Sequence, residues 1–449
     1  MTLQTVPRYQ TSRPTERADR AVVLGAGVGG LLSARVLSDH FERVTVVERD
    51  PLPTDPTPRP SVPQGRHPHV LLVAGRETLA DLFPGFGTEL VRAGGVVTDF
   101  NSDVGFYTGG DYLADGPRRI ETVGATRPLI ELLLRQRVTA LDGVDIRPNT
   151  QFVDYRSTPD QTRVEGVLVR REGDETTLDA SLVVDATGRT SRTPEWLDTH
   201  GYAPPDLEEV SVDLAYSTTY LERPDRDHRT YIVPPDPPRT RGGMAAPVED
   251  NRWVVNVNGL HGDHPPTETE ELVSFLESLP VPELAALAAD HDWTGDVDYY
   301  PFPSSRRYRY ESLDRFPDGL VVLGDAIASY NPLYGQGMSV AALEALALHH
   351  ALAAAGDPES LAPRYFDRAT AVADVAWRLA VGNDFGFEAT TGPRPTGTAL
   401  VGRYLSRLVD RAHTDPVVAA AFVRVMTLEE PPSRLFRPGV LRRVLGPRR

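Results

Sequence analysis

The chain contains no cysteine and no lysine. The first absence excludes disulfides, thiolate nucleophiles and cysteine-ligated zinc or iron–sulfur centres. The second makes all 47 basic residues arginine, which removes Schiff-base and PLP chemistry, the lysine of a P-loop, and any halogenation that depends on a lysine ammonium. No apolar run reaches the roughly 18 residues that span a bilayer. The opening stretch MTLQTVPRYQTSRPTERADR lacks the apolar core of a signal peptide, so the expected location is cytoplasmic. Positive charge is also scarce: the net charge of -16 repels phosphates and excludes nucleic acid as a partner. Many carboxylates without lysine read either as a halophilic-type acidic surface, hydrated and screened by salt, or as the arginine bias of a high-GC genome. The salt reading is preferred, because codon bias alone seldom removes every lysine.

With 449 residues, of which 40% are apolar, the chain can bury a sizeable core in two or three domains. Residues 20 to 50, RAVVLGAGVGGLLSARVLSDHFERVTVVERD, read as strand, tight turn, helix and strand. The proline-rich loop DPLPTDPTPRPSVPQG comes next, and helical periodicity resumes near His69 to Leu82 and at Pro128 to Leu141. TRVEGVLVRR and TTLDASLVVDATG look like a hairpin ending at a second small-residue turn. From 206 to 310 short alternating strands predominate, among them VSVDLAYSTTYLE, RTYIVPP, RWVVNVNGL and DVDYYPFPSSRRYRY. Ser339 to Ala355 is strongly helical, as is most of the chain beyond Ala355. The expected fold class is therefore α/β: a Rossmann-like dinucleotide-binding domain, an inserted mainly antiparallel β-sheet for substrate, and a helical C-terminal region. The boundaries expected are a flexible arm over 1–19, the nucleotide domain over 20–205 and 311–385, the sheet over 206–310, and the helical region over 386–449 with its basic tail.

Gly25, Gly27 and Gly30 form G-x-G-x-x-G directly after the strand AVVL, with Ala26 between the first two and Glu48-Arg49 closing the next strand. Gly25 permits the tight turn, Gly27 lets a pyrophosphate approach the backbone, and Gly30 with Ala34 lets helix and strand pack closely. Glu48 can accept hydrogen bonds from both ribose hydroxyls of an adenosine. NAD and FAD share this turn, so the choice rests on the rest of the chain. Its other small-residue turns are DATG (Asp185 to Gly188) and GDA (Gly324 to Ala326). Asp325 can accept a ribityl hydroxyl, Gly335 and Gly337 let the main chain lie beside a flavin ring, and the helix starting near Met338 aims its N–H groups and positive dipole end at that ring.

Together the fingerprint ending in Glu48, the Arg127-Pro128-Leu129-Ile130 helix start, the DATG turn, and G-D-A with N-P-x-x-G-Q-G-M after it resemble the FAD-dependent monooxygenases of the para-hydroxybenzoate hydroxylase superfamily. VPQGRHPHVLL (Val62 to Leu72) and NPLYGQGMS resemble the branch that holds the polyether-type epoxidases and related actinobacterial oxidoreductases. The resemblance implies that Gly25, Ala26, Gly27, Gly30, Glu48 and Arg49 hold the ADP half of FAD, and that Arg127 reaches the pyrophosphate and ribityl chain. It further implies that Gly188, Gly324 and Asp325 meet the ribityl region, while Gly335, Gly337 and Met338 border the isoalloxazine. It implies oxygen insertion from O2 by a flavin C4a-hydroperoxide, with electrons from NADH or NADPH, or as reduced flavin from a partner reductase. The implied substrate is a small apolar alkene or aromatic. Where many aromatic hydroxylases read A-D-G, this chain has Asp185-Ala186-Thr187-Gly188-Arg189, which departs from their nicotinamide-binding pattern. Two other readings stand beside this one: a reductase of isoprenoid double bonds on the same fold, and a non-catalytic FAD-binding protein.

No acid or base stands out as catalytic, and the resemblance requires none. Tyr216, Trp253, Tyr299, Tyr300 and Phe302 are candidates for the pocket wall, or alternate into a core. Arg66 meets the flavin edge or caps the next helix; His67 and His69 are weaker candidates. His261 and His264 in HGDH read as a solvent-exposed turn rather than a metal site, and no metal is expected. His349 and His350 read as surface or core fillers. Arg434, Arg437, Arg442, Arg443, Arg448 and Arg449 decorate the tail, where they pair with the acidic body or, as a lesser reading, touch an anionic membrane.

Overall fold

In the computed structural model, which describes residues 1–10, 17–117, 119–354, 361–395 and 398–447, the strand Ala18–Leu24 is the centre of a five-stranded parallel sheet. Phe41–Val47 and then Val144–Arg147 lie on one side of it, Leu182–Asp185 and then Leu320–Val322 on the other. Such strands are covered on both faces and read as nearly unbroken apolar runs, as AVVL, LVVD and LVV do. Because Ala18–Leu24, Leu182–Asp185 and Leu320–Val322 are parallel neighbours, their carboxyl ends align. The glycine fingerprint, DATG and GDA therefore emerge side by side at one edge, where open α/β sheets bind ligands. This is the expected α/β fold with its Rossmann-like nucleotide unit.

The helix Gly337–Ala353 is apolar nearly all round and buried along most of its length, as a central helix must be. It packs against Val28–His40, Val73–Leu82 and Leu361–Asp384. The second expected hairpin strand divides in two. Asp174–Asp179 pairs with Val164–Arg171, and Leu182–Asp185 leaves for the parallel sheet.

An eight-stranded sheet runs in the order Ala328–Ser329, Trp293–Tyr308, Leu207–Glu222, Arg252–Gly259, Arg241–Val248, Thr230–Val233, Val104–Thr108, Asp111–Tyr112. Only the pairing of Thr230–Val233 with Val104–Thr108 is parallel. The sheet thus reaches beyond 206–310 at both edges. Strand Arg241–Val248 has no sequence signature, since two glycines and a proline depress β-propensity. A side chain at Gly243 would meet Leu279 at 2.9 Å, so the small residue lets the covering helices approach. Those helices, Thr269–Glu277 and Glu283–Asp290, interrupt a region read as all strand. They bury Leu272, Phe275 and Leu284 against Trp253, Val255 and Val257 on one face; the alternate residues Val254, Asn256 and Asn258 face the interior of the molecule.

Residues 1–10 are not a flexible arm. Leu3 and Val6 are buried, and the amides of Leu3 and Gln4 donate to the carbonyls of Leu428 and Glu429 at 3.0 Å. The C-terminal helices Thr398–Ala412, Pro416–Met426 and Pro438–Leu445 share a core of their own built on Leu408, Val418, Leu435 and Val440.

Candidate active site

The first turn is shaped by contacts that forbid a side chain. Gly25 has φ +95°, and a Cβ there would lie 2.7 Å from the Ala186 carbonyl oxygen; at Gly30 it would lie 1.8 Å from the carbonyl oxygen of Gly25. Gly27 differs. A Cβ at Gly27 meets only the guanidinium ends of Arg59 at 3.8 Å and Arg127 at 3.9 Å. The backbone there faces open space rimmed by two cations, at the start of a helix whose first N–H groups have no side-chain cap. A bare helix start of this kind can receive a diphosphate.

Glu48 stands at the end of Phe41–Val47, 5% exposed. Its Oε2 accepts from the Ala26 amide and from Arg59 Nη1, each at 2.8 Å, and its Oε1 accepts from the Asp50 amide at 3.0 Å. Arg59, buried in the proline-rich loop, also donates from Nε to Glu131 Oε2 at 3.1 Å and lies 3.7 Å from Asp50. Glu131 Oε1 accepts from Arg127 Nε at 2.8 Å. Burial alone would raise the Glu131 carboxyl, but Arg127 and Arg59 override it and hold the group below its ordinary value. Arg127 Nη1 donates to His69 Nε2 at 3.1 Å, and His69 Nδ1 donates to the His67 carbonyl at 2.9 Å. Burial and Arg127 push the His69 imidazole down to about 3.

The second turn is held by Asp185, whose carboxylate is consumed by the Thr187 amide at 2.9 Å and by Thr193 Oγ1 at 2.6 Å. Gly188, with φ +80°, brings the turn to within 3.9 Å of the Asp325 side chain, measured from its absent Cβ. Arg189 lies over the Phe302 ring at 4.9 Å and donates to Ser304 Oγ at 3.0 Å. In the third turn Gly324 takes φ +72° and Asp325 projects into the cleft, 3.7 Å from where a Gly337 Cβ would stand. Asp325 is exposed by surface area, and it lines the cleft, whose walls surround it. This enclosure raises its carboxyl, against the opposing pull of Arg127 and Arg189. The loop ahead of the helix is tethered from behind: Asn331 Nδ2 and the Tyr334 hydroxyl donate to Asp384 Oδ1 at 2.9 and 2.8 Å. Burial lifts Asp384 to about 6.

Glu48, Arg59, His69, Arg127 and residues of all three turns border one cleft of about 1500 Å³, more than the roughly 300–1,000 Å³ of a pocket for one drug-sized ligand. Gly25, Gly27, Glu48 and Arg49 line one end and Gly188, Gly324, Asp325, Gly335, Gly337 and Met338 the middle, with Arg127 between. Beyond them the cleft continues as a chamber between the large sheet and the C-terminal helices. Phe106, Ile232, Met244 and Val254 come from the sheet, and Leu405, Val409 and Phe422 from the helices. Among the aromatic candidates, Tyr216, Tyr300 and Phe302 border the cleft. Trp253 does not: it points to the other face and donates from Nε1 to the Arg229 carbonyl at 3.0 Å. Tyr299 is 41% exposed on the outside.

Arg66 is a second correction. Its side chain is 52% exposed and lies 3.6 Å from Asp298, outside the cleft lining, because the short 3-10 turn Pro63–Arg66 directs it outward. His67, the weaker candidate by sequence, is buried and lines the cleft. Arg59, Glu131, Asn256 and Asn258 are site residues that the sequence pattern does not reveal; only the i, i+4 spacing of Arg127 and Glu131 on one helix carries a signal. His264 pairs with Asp213 at 3.1 Å, and His261 meets Thr390 at 3.3 Å. His349 lies buried against His40 at 3.3 Å, and His350 meets the Pro7 carbonyl at 2.8 Å. In the tail, Arg434 pairs with Glu430 at 2.6 Å and Arg443 with Asp415 at 2.9 Å, which fits attachment to the body. Arg448 and Arg449 lie outside the described residues. Among those residues no helix is long and apolar enough to cross a membrane.

The family described as FAD binding domain matches residues 19–380. Protein Rv3254 of Mycobacterium tuberculosis (strain ATCC 25618 / H37Rv) is 34% identical over 435 residues, covering 93% of this chain and 91% of that protein. Among solved structures, PqsL of Pseudomonas aeruginosa, described as a probable FAD-dependent monooxygenase, superposes with a TM-score of 0.61 at 21% identity, over 83% of this chain and 98% of its own. A flavoprotein/dehydrogenase from Cytophaga hutchinsonii gives 0.65 at 14% identity, over 95% and 96%.

Proposed function

The chain belongs to the FAD binding domain family, and from that membership we propose that it is an FAD-dependent monooxygenase, an epoxidase or hydroxylase of a small, largely apolar alkene or aromatic. One observation carries the reading: the cleft edged by the three glycine-bearing turns opens without interruption into the apolar chamber. A cofactor in the first part and a substrate in the second would share one enclosed space. The residues suit FAD, since Gly27 offers a bare backbone between Arg59 and Arg127, Glu48 lines the cleft beside it, and Asp325 stands free within it. When bound, the flavin supplies the electron transfer and activation of O2.

The chain's own residues bind, orient and exclude water. Arg59 and Arg127 face the diphosphate position, and Asp325 accepts from a polyol hydroxyl. The N-terminus of Gly337–Ala353, with Gln336 as its uncapped N-cap, lays positive N–H ends against the flavin position and stabilises negative charge developing there. The sheet face and the C-terminal helices keep bulk water away from the reaction. Absence of lysine removes the lysine-dependent halogenation chemistry open to other folds of this shape. Electrons come from NADH or NADPH, or from a separate flavin reductase.

The test is reconstitution with FAD, anaerobic reduction by NADPH, NADH or a supplied flavin reductase, and an oxygen pulse in the presence of candidate alkenes and aromatics. Isotopically labelled O2 appearing in the product supports the reading. Reduction of a double bond without oxygen uptake, or no flavin absorbance after FAD addition, overturns it.

A further inference from the structure

Among the polar side chains along the largely apolar cleft, one group lies on a single row of the sheet. Strand register places Thr218 opposite Asn256, Asn256 opposite Met244 and Met244 opposite Ile232, while Tyr216 stands opposite Asn258. Polar side chains on this row are bonded in series. Asn258 Nδ2 donates to Asn256 Oδ1 at 3.2 Å, and Asn256 Nδ2 donates to Thr218 Oγ1 at 2.9 Å. Thr218 Oγ1 lies 2.8 Å from His67 Nδ1. All four residues are at least nine-tenths buried, at 4%, 5%, 1% and 5% exposure.

The direction of the series fixes a proton. An amide NH₂ can only donate, so Thr218 Oγ1 is an acceptor toward Asn256; among the described residues its own buried proton has one acceptor, His67 Nδ1, and is left unpaired unless that nitrogen accepts it. His67 Nδ1 therefore carries no proton and Nε2 does. The imidazole is wedged edge-on against Tyr216 at 4.6 Å and borders the cleft, and Nε2 has no hydrogen-bond partner among the described residues. At the other end Asn258 Oδ1 is buried without a partner among the described residues. An apolar chamber thus keeps a directed N–H donor at one end of the row and an unmatched acceptor at the other. Packing alone would favour filling such positions with apolar groups, because buried unpaired polar atoms are costly.

We infer that His67 is a substrate-contacting residue: its Nε2–H donates to an oxygen, carbonyl or hydroxyl, on an otherwise apolar substrate skeleton, with Thr218 and Asn256 as positioning residues for that donor. This rests on the monooxygenase reading for the identity of the chamber as the substrate site, and narrows the substrate from any apolar alkene or aromatic to one with an oxygen handle.

The test uses the FAD-loaded full chain and two probes of one skeleton, 1-naphthol and naphthalene, titrated by perturbation of the flavin absorbance and of intrinsic fluorescence. The affinity ratio between probes is compared between proteins, so their different solvation cancels. For His67→Phe the naphthol-to-naphthalene ratio falls about three- to tenfold. Thr218→Val, which releases the imidazole to the other tautomer, moves the ratio in the same direction by less and serves where His67→Phe fails to fold. A ratio unchanged in the folded variants, or no preference in the wild-type chain, overturns the inference. Failure of the wild-type chain to take up FAD refutes instead the function on which it rests.

Discussion

Glu344 is completely buried on the underside of the GDA turn, where its Oε2 accepts from the Gly324 amide at 2.7 Å and its Oε1 has no partner among the described residues. Burial, reinforced by the nearby Asp325 charge, lifts its carboxyl to about 8, against the opposing effects of the Gly324 amide and Arg307. Between its ordinary value near 4.5 and about 8 the folded chain keeps this proton while the unfolded chain releases it. Stability from this group is therefore complete below the lower value and is lost as pH rises through the window. At about 1.4 kcal/mol per unit, the loss has a ceiling of about 5 kcal/mol, and relaxation of the site reduces it. Glu344→Gln retains a carbonyl oxygen for the Gly324 amide and cannot titrate. Thermal midpoints of the apoprotein, wild type and variant, measured from about pH 5 to about pH 9, give the comparison. The wild-type midpoint is expected to fall relative to the variant by several degrees across this range. Asp384, another raised group, titrates in both proteins and drops out of the difference, whereas the Asp325 charge acts on Glu344 and is part of the effect measured. Curves that stay parallel would show that Glu344 is not the buried acid described, and the account of how the turn is braced would fail with it.

The glycines of the first turn separate folding from binding. Gly27→Ala places a methyl in open space at that helix start, so the apoprotein melts within about 0.5 kcal/mol of wild type while FAD affinity drops about tenfold or more by titration. Gly30→Ala drives a methyl into the Gly25 carbonyl and instead lowers the melting midpoint of the apoprotein itself. Arg59→Met leaves Glu48 and Glu131 short of their shared buried cation, costing about 3–5 kcal/mol at neutral pH. Part of that loss returns on mild acidification as a carboxylate takes a proton, visible as a variant whose midpoint rises relative to wild type when pH falls.

The features legible in the sequence are those that backbone geometry dictates. Gly25, Gly30, Gly188 and Gly324 stand where a Cβ clashes or φ is positive, and that requirement leaves a spacing in the chain. Parity in a strand is visible too, but not which parity faces inward. Aromatic character favours Trp253 over Val254 and Asn256 as a wall residue, yet Trp253 packs under two helices and the asparagines face the chamber. In the pair Tyr299-Tyr300 the same ambiguity puts one ring outside and one inside. Asn256 and Asn258 give no signal as site residues, since polar positions in a strand ordinarily mark the solvent side. Arg59 leaves no trace at all: a loop without periodicity gives no hint of which charge turns inward. The C-terminal helices are legible as helices, but their role as the far wall of the chamber is a long-range contact that no local pattern encodes.

The segment from Arg59 to His69 explains why a loop so poor in secondary structure must still be rigid. Its first buried anchor, Arg59, is bonded to Glu48 beside the first glycine turn and to Glu131, which in turn holds Arg127. Arg127 donates to His69, His69 to the His67 carbonyl, and the His67 ring meets Thr218 on the chamber wall. One hydrogen-bonded series thus runs from the first glycine turn to the sheet. The prolines at 60, 63 and 68 restrict the unfolded chain and lower the entropy lost when the loop is ordered. On the proposed function, such anchoring suits a segment that presents an arginine to the cofactor and an imidazole to the substrate at fixed separation. A helix or strand would have spent its backbone hydrogen bonds on itself; this loop leaves the His67 carbonyl free to take the His69 proton, and that bond fixes which nitrogen of His69 faces Arg127.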